Sequence, residues 1–181
     1  EPEWLSLARN LMDTALESFD DGNGGFFDTA RDSEKLIRRP RDFADNAEPS
    51  GWFSMANLLV RFSALAPSDF LQLRTRAEQA LGVVPQFALR SPRAVGWGLV
   101  AMWSLAQGPW EVAVSGPESA KFARLASLSP LCPEIRWVHG EANHAQVCRF
   151  TICELPTSDP KELSQFIGLR PHLRDLIAAE E

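Results

Sequence analysis

Charge is spread unevenly over the first part of this chain, and that unevenness constrains the fold more than any other feature. Trp4, Leu5, Ala8, Leu11, Met12, Ala15, Leu16 and Phe19 recur at helical spacing with Arg9, Asp13 and Glu17 between them, as in an amphipathic helix. A second helical segment, from Ser50 to Ala66, holds a single charge, Arg61. A third, from Ser68 to about Arg90, carries Asp69, Arg74, Arg76 and Glu78, and Pro85 should kink or end it. A fourth opens at Ser91-Pro92, stops before Gly108-Pro109 and holds only Arg93. Amphipathic helices face water, whereas helices apolar all round are buried. The order predicts a mainly α chain in which outer and inner helices alternate in a partial helical-hairpin (α/α) toroid over residues 1–109. An ordinary helical bundle with one buried pair is the alternative. A closed toroid needs more helices than these, so the chain would be an open half or the end of a longer protein. Its start, Glu-Pro-Glu rather than Met, fits the latter.

The connection from Gly24 to Gly51, centred on an inserted loop at 22–49, is long for a compact domain, and such loops usually carry function. Asp20-Asp21-Gly22-Asn23-Gly24 stops the first helix, and Gly25 to Thr29 could pair with Lys35 to Arg38 as a short hairpin. The loop offers the residues of a polar pocket. Asp28 and Asp45 are the candidate acid and base, since glycosidic-bond cleavage needs two carboxylates flanking the bond. Arg39 could orient a hydroxyl-rich or anionic ligand, Phe27 and Trp52 could stack on a sugar face, and Asp42, Asn46 and Ser50 complete the lining. The competing reading is structural: Asp45 and Ser50 cap the coming helix, and Arg39 pairs with an Asp to hold the loop. Arg31, Lys35, Arg38, Arg39 and Arg41 are interleaved with acids, so they form no basic patch.

After Pro109 the pattern changes, and residues 110–181 read as a small α/β subdomain. Trp110 to Ser115 is a predicted strand, Glu118 to Leu128 a helix and Ile135 to His139 a second strand, a right-handed crossover unit. Gln146 to Leu155 gives a third strand, and Asp159-Pro160 opens a short helix. Gly116-Pro117-Glu118 follows the first strand but matches no phosphate-binding pattern. On one continuous strand Cys148 and Cys153 would lie about 16 Å apart. They could bridge each other only if the strand bends. The spacing of Cys132, His139, His144, Cys148 and Cys153 matches no standard zinc site, so neither a metal nor a cofactor is expected.

Composition narrows the partners. The net charge of −6 argues against nucleic acid or an anionic membrane, and no apolar run approaches a membrane span. No basic-then-apolar leader is legible, and three Cys among 181 residues make a reducing, cytoplasmic setting the default.

GGFFDTA, RPRD and DNAEPSG, followed by VCRFTICELPTSDPKEL, resemble the C-terminal region of the thioredoxin-domain-containing, spermatogenesis-associated thioredoxin-like proteins. The resemblance spans about Leu11 to Phe166. It implies the end of a toroid related to six-hairpin glycosidases and sugar epimerases, without the thioredoxin-like domain. The motif positions fall at Gly24, Gly25, Phe26, Phe27 and Asp28, at Arg39, Pro40 and Asp42, and at Asp45, Asn46, Ala47, Pro49, Ser50 and Gly51. The family usually continues Pro-Ser-Gly with Asn-Ser, where this chain has Trp52 and Phe53. The loop residues and the apolar flank that a partial toroid leaves open predict two functions: a module binding or processing a small carbohydrate or polyol, or a non-catalytic scaffold docking on a thioredoxin-like domain or a second copy.

Overall fold

A computed structural model describes residues 2–35 and 37–170. The chain divides into two compact units, one from residues 1–62 and 71–107, the other from 63–70 and 108–181.

The first unit is helical, with α1 (Pro2–Phe19), α2 (Gly51–Leu65) up to Phe62, α3 (Phe70–Leu81) from Leu71 on, α4 (Val84–Ala88) and α5 (Gly96–Gln107); the end of α2 and Phe70 belong to the second unit. Ser50 opens α2 as its cap, its Oγ accepting from the Phe53 amide at 3.1 Å. Trp52, Phe53, Ala56, Leu59 and Val60 then bury one broad face of that helix. Pro85 removes the amide that would have bonded back to Leu81, and the helix breaks after Leu81, at Gly82 and Val83. On α5, Gly98 is required by packing, because a Cβ there would lie 2.8 Å from Phe53 and Val84 side-chain atoms.

The second unit is a four-stranded mixed sheet, β1 (Trp110–Ser115), β2 (Glu134–Trp137), β3 (His144–Arg149) and β4 (Ile152–Cys153), in the order β2-β1-β3-β4. Helix α6 (Ser119–Ser127) carries the crossover between β1 and β2, which are parallel, while β3 is antiparallel to both β1 and β4. Val112, Val114 and Val147 on one sheet face pack with Phe122 and Ala126 of α6 and with Leu163 of α7 (Pro160–Phe166). Asp159 starts α7 by accepting from the Lys161 amide at 2.8 Å.

The mainly α, partial-toroid expectation is overturned: about half of the described residues are helical, and a four-stranded mixed sheet makes this a mixed α/β protein. The toroid rested on equating an uncharged helix with a buried one. Helix α5 contains no charged residue, yet Trp103 on it is 67 % exposed, with Trp97 and Val100 also at the surface. The expected hairpin between Gly25–Thr29 and Lys35–Arg38 is not formed by its described residues (Leu36 lies outside them). Phe26 bridges Asp20 instead.

The expected single strand from Gln146 to Leu155 is a hairpin turning at Phe150 and Thr151, with Phe150 at φ 56°. That bend makes Cys148 and Cys153 cross-strand partners with Cα atoms 4.0 Å apart, joined by a disulfide. Phe150 is held in its unusual conformation by an edge-on contact with Phe70 and by Gly108, where any Cβ would strike the Phe150 ring. Among the described residues, no helix is long and apolar enough to cross a membrane.

Candidate functional site

The polar loop between α1 and α2 is held by its own charged groups. Asp20 accepts from the Gly22 amide at 2.7 Å and from Arg76 Nε at 3.1 Å. Arg76 also donates to the carbonyls of Gly24 and Gly25, at 2.9 and 3.1 Å, and lies over the Phe26 ring. One arginine on α3 thus ties down two loop carbonyls, of which that of Gly25 also accepts from the Asp21 amide at 3.1 Å. Asp21 takes the amides of Asn23 and Gly25 at 2.7 and 2.8 Å and pairs with Arg41. Its side chain is 1 % exposed. Burial pushes this carboxyl up, but the two amides and Arg41 outweigh it and hold the group below the ordinary 3.8.

The residues nominated from sequence fall into this framework one by one. Asp45 is half-buried and fully engaged: one oxygen accepts from the Ser50 amide at 2.9 Å, the other from the Trp97 amide at 2.7 Å. Ser50 is buried as the α2 cap. Trp52 is buried as well, donating from Nε1 to the Ala80 carbonyl at 2.8 Å, with its ring so close to Gly25 that a Cβ there would lie 2.2 Å from it. It is therefore a packing residue, not a platform open to a sugar.

Arg39 lies over the Phe27 ring at 3.9 Å and donates to the carbonyls of Ser18 and Thr29, although its Nε is buried without an acceptor. Its partners are backbone carbonyls, not the Asp expected from sequence. Asp28 and Asp42 are exposed neighbours, the Asp42 amide meeting Asp28 at 3.4 Å and the Asp42 carboxylate turning back to the Ala44 amide at 2.8 Å. Asn46 is exposed, its amide donating to the Glu48 carbonyl at 3.0 Å. The structure thus brings Asp28 beside Asp42, Phe27 beneath Arg39, and Asp45 beside Ser50.

A cavity of about 610 Å³ lies elsewhere in the first unit, bordered by Leu16, Asp20, Leu59, Leu73, Arg76 and Gln79. None of the nominated site residues lines it. Its most polar wall is the Asp20–Arg76 pair, already committed to the loop.

Sequence reasoning misses a polar cluster at the carboxyl end of β1, the end where open α/β sheets place their ligands. Ser115 Oγ lies 3.0 Å from His144 Nδ1 and 2.7 Å from the Ala142 carbonyl, and Asn143 holds both the amide and the carboxylate of Glu118. The serine has one proton, and the Ala142 carbonyl can only accept it. His144 is then the donor to Ser115, the reverse of what nucleophile activation requires. Ser115 is also buried. The cluster ties the segment before β3 to the end of β1 and orients no nucleophile.

Three cysteines offer different chemistry: Cys132 is free and exposed, whereas Cys148 and Cys153 are bonded to each other. Among the described residues no group of three or more His, Cys, Asp or Glu is placed to hold a metal ion.

Compared with known protein families, characterised proteins and solved structures, the chain matches none of them. The resemblance to thioredoxin-domain-containing proteins rests on the quoted motifs alone.

Proposed function

We propose that this chain is a non-catalytic interaction module whose docking surface is the apolar face of α5. The observation that carries this reading is the alignment of Trp97, Val100 and Trp103 at the surface of a helix with no charged residue. Large exposed apolar groups in a row mark association sites, and tryptophan is enriched among the residues that dominate binding energy. The occupant best suited to a charge-free helical face is another such face, and a second copy of α5 supplies one without bringing like charges together. The use of Asp45 as a cap at the start of the same helix favours this reading over a carbohydrate site, for which a committed carboxylate is a poor acid or base.

Sedimentation velocity across a concentration series tests it. A reversible dimer that Trp103→Glu dissociates, with the far-ultraviolet spectrum unchanged, is the expected result. A wild type that stays monomeric at the highest concentration reached would remove the second-copy reading.

A further inference from the structure

We propose that the Cys148–Cys153 hairpin is a reversible thiol–disulfide exchange site, with Cys153 as the sulfur that an incoming thiolate attacks. The two ends of this bond lie in different surroundings. Cys148 is 6 % exposed, on a strand flanked by β1 and β4, whereas Cys153 is exposed at the end of the two-residue edge strand β4. Exchange requires an attacking thiolate to reach one sulfur, so access selects Cys153 and makes Cys148 the leaving group.

The pairing explains why the bond can form here. The Glu154 amide donates to the Val147 carbonyl at 2.9 Å, which makes 147 and 154 a hydrogen-bonded pair. The next pair, Cys148 and Cys153, is then of the non-hydrogen-bonded kind, in which side chains approach most closely. The hairpin also has support that does not depend on the disulfide. Besides the Val147–Glu154 bond, Gln146 Nε2 donates to the Glu154 carbonyl at 3.1 Å, and Thr157 exchanges backbone bonds with Ala145 at 2.8 and 2.9 Å. Opening the bond therefore leaves the two sulfurs facing each other and able to re-form it.

The chemistry is a two-electron exchange with a small thiol, RSH. Its thiolate attacks Cys153 Sγ, a new R–S–Sγ bond forms, the Sγ–Sγ bond breaks, and the electron pair leaves on Cys148, which takes up a proton. A second thiolate attacks the mixed disulfide and releases Cys153 as thiol and RSSR, so two RSH are oxidised for each protein disulfide reduced.

The test uses the full chain with Cys132→Ser, which removes the free exposed thiol. The folded protein is equilibrated with glutathione at several ratios of thiol to disulfide, alkylated, and read by mass spectrometry, with circular dichroism recorded alongside. The expected result is a reduced fraction that follows the ratio in both directions while the fold persists. A glutathione adduct should form at Cys153 of Cys148→Ser at least about ten-fold faster than at Cys148 of Cys153→Ser. Reduction only after unfolding, or equal reactivity of the two thiols, would overturn the proposal. The equilibrium of the chain that keeps both Cys148 and Cys153 decides the matter even if a single-cysteine variant fails to fold.

Discussion

The carboxylate of Asp45 accepts the backbone amide of Trp97 at 2.7 Å, across a sequence separation of 52 residues. Its second oxygen holds the Ser50 amide, so one side chain organises the entry to α2 and the start of α5 together. The residue that sequence reasoning nominates as an acid or base is thus the link between two helix beginnings, and its loss should be felt as stability. Asp45→Ala leaves two amides without an acceptor and should cost about 2–3 kcal/mol, read as the midpoint shift in urea unfolding. Asp45→Asn keeps one acceptor and should cost less. Equal stability of all three proteins would show that water replaces the carboxylate at both amides.

Ser50 provides a smaller effect of the same kind. Among the described residues its hydroxyl accepts the Phe53 amide alone, so Ser50→Ala should cost about 1 kcal/mol, or a fall in Tm of about 2–4 °C for a chain of this size. Ser50→Thr should restore most of it, because threonine can cap in the same way. Differential scanning calorimetry separates the three proteins.

Asp21 predicts the acid arm of the stability curve. Its carboxyl titrates below the ordinary 3.8 when folded, so the unfolded chain binds the proton more readily. The stability this supplies is fully present above pH 3.8 and is lost as pH falls from there through the folded value. Wild type should therefore lose stability more steeply than Asp21→Asn as the pH drops through that window. Parallel curves would mean that the Asn23 and Gly25 amides and Arg41 do not favour the ionised form.

These particulars show what was legible in the chain and what was not. The capping role of Ser50 could be read, because a serine before an apolar helical run carries a local physical signal. So could β1 and α6, whose residues keep strand and helix patterns over short stretches. The hairpin at Phe150 could not, since a phenylalanine gives no sign of a left-handed turn, and its conformation is imposed by Phe70 and Gly108. The apolar surface of α5 was hidden for a different reason. Counting charges tells how polar a helix is, not which of its faces the rest of the chain covers. Arg76 was invisible as a loop anchor because its partners, Asp20, Gly24 and Gly25, lie more than fifty residues away.

The disulfide should stabilise the second unit modestly. It closes a loop only five residues in separation, for which the loss of chain entropy in the unfolded state is worth about 2 kcal/mol. Cys148→Ser with Cys153→Ser should lower stability by that amount. Because the effect lies in the unfolded chain, hydrogen exchange should show it in every amide of this unit that exchanges only by unfolding, α7 included. A loss confined to β4 would mean instead that the bond acts by holding the folded hairpin together.

Trp52 and Gly25 form the sharpest packing test. The indole fills the space in front of Gly25 so completely that a Cβ would lie 2.2 Å from Cη2, and Nε1 is fixed to the Ala80 carbonyl, which prevents the ring from moving aside. Gly25→Ala should therefore cost about 1–3 kcal/mol through overpacking. Trp52→Ala should cost about 3–5 kcal/mol through loss of the buried ring. The two effects share one volume, so they should not add. In the Trp52→Ala background, Gly25→Ala should be nearly neutral, with a coupling energy close to the single cost of the alanine. Additive losses would mean that the backbone at Gly25, not the ring before it, is what excludes a side chain.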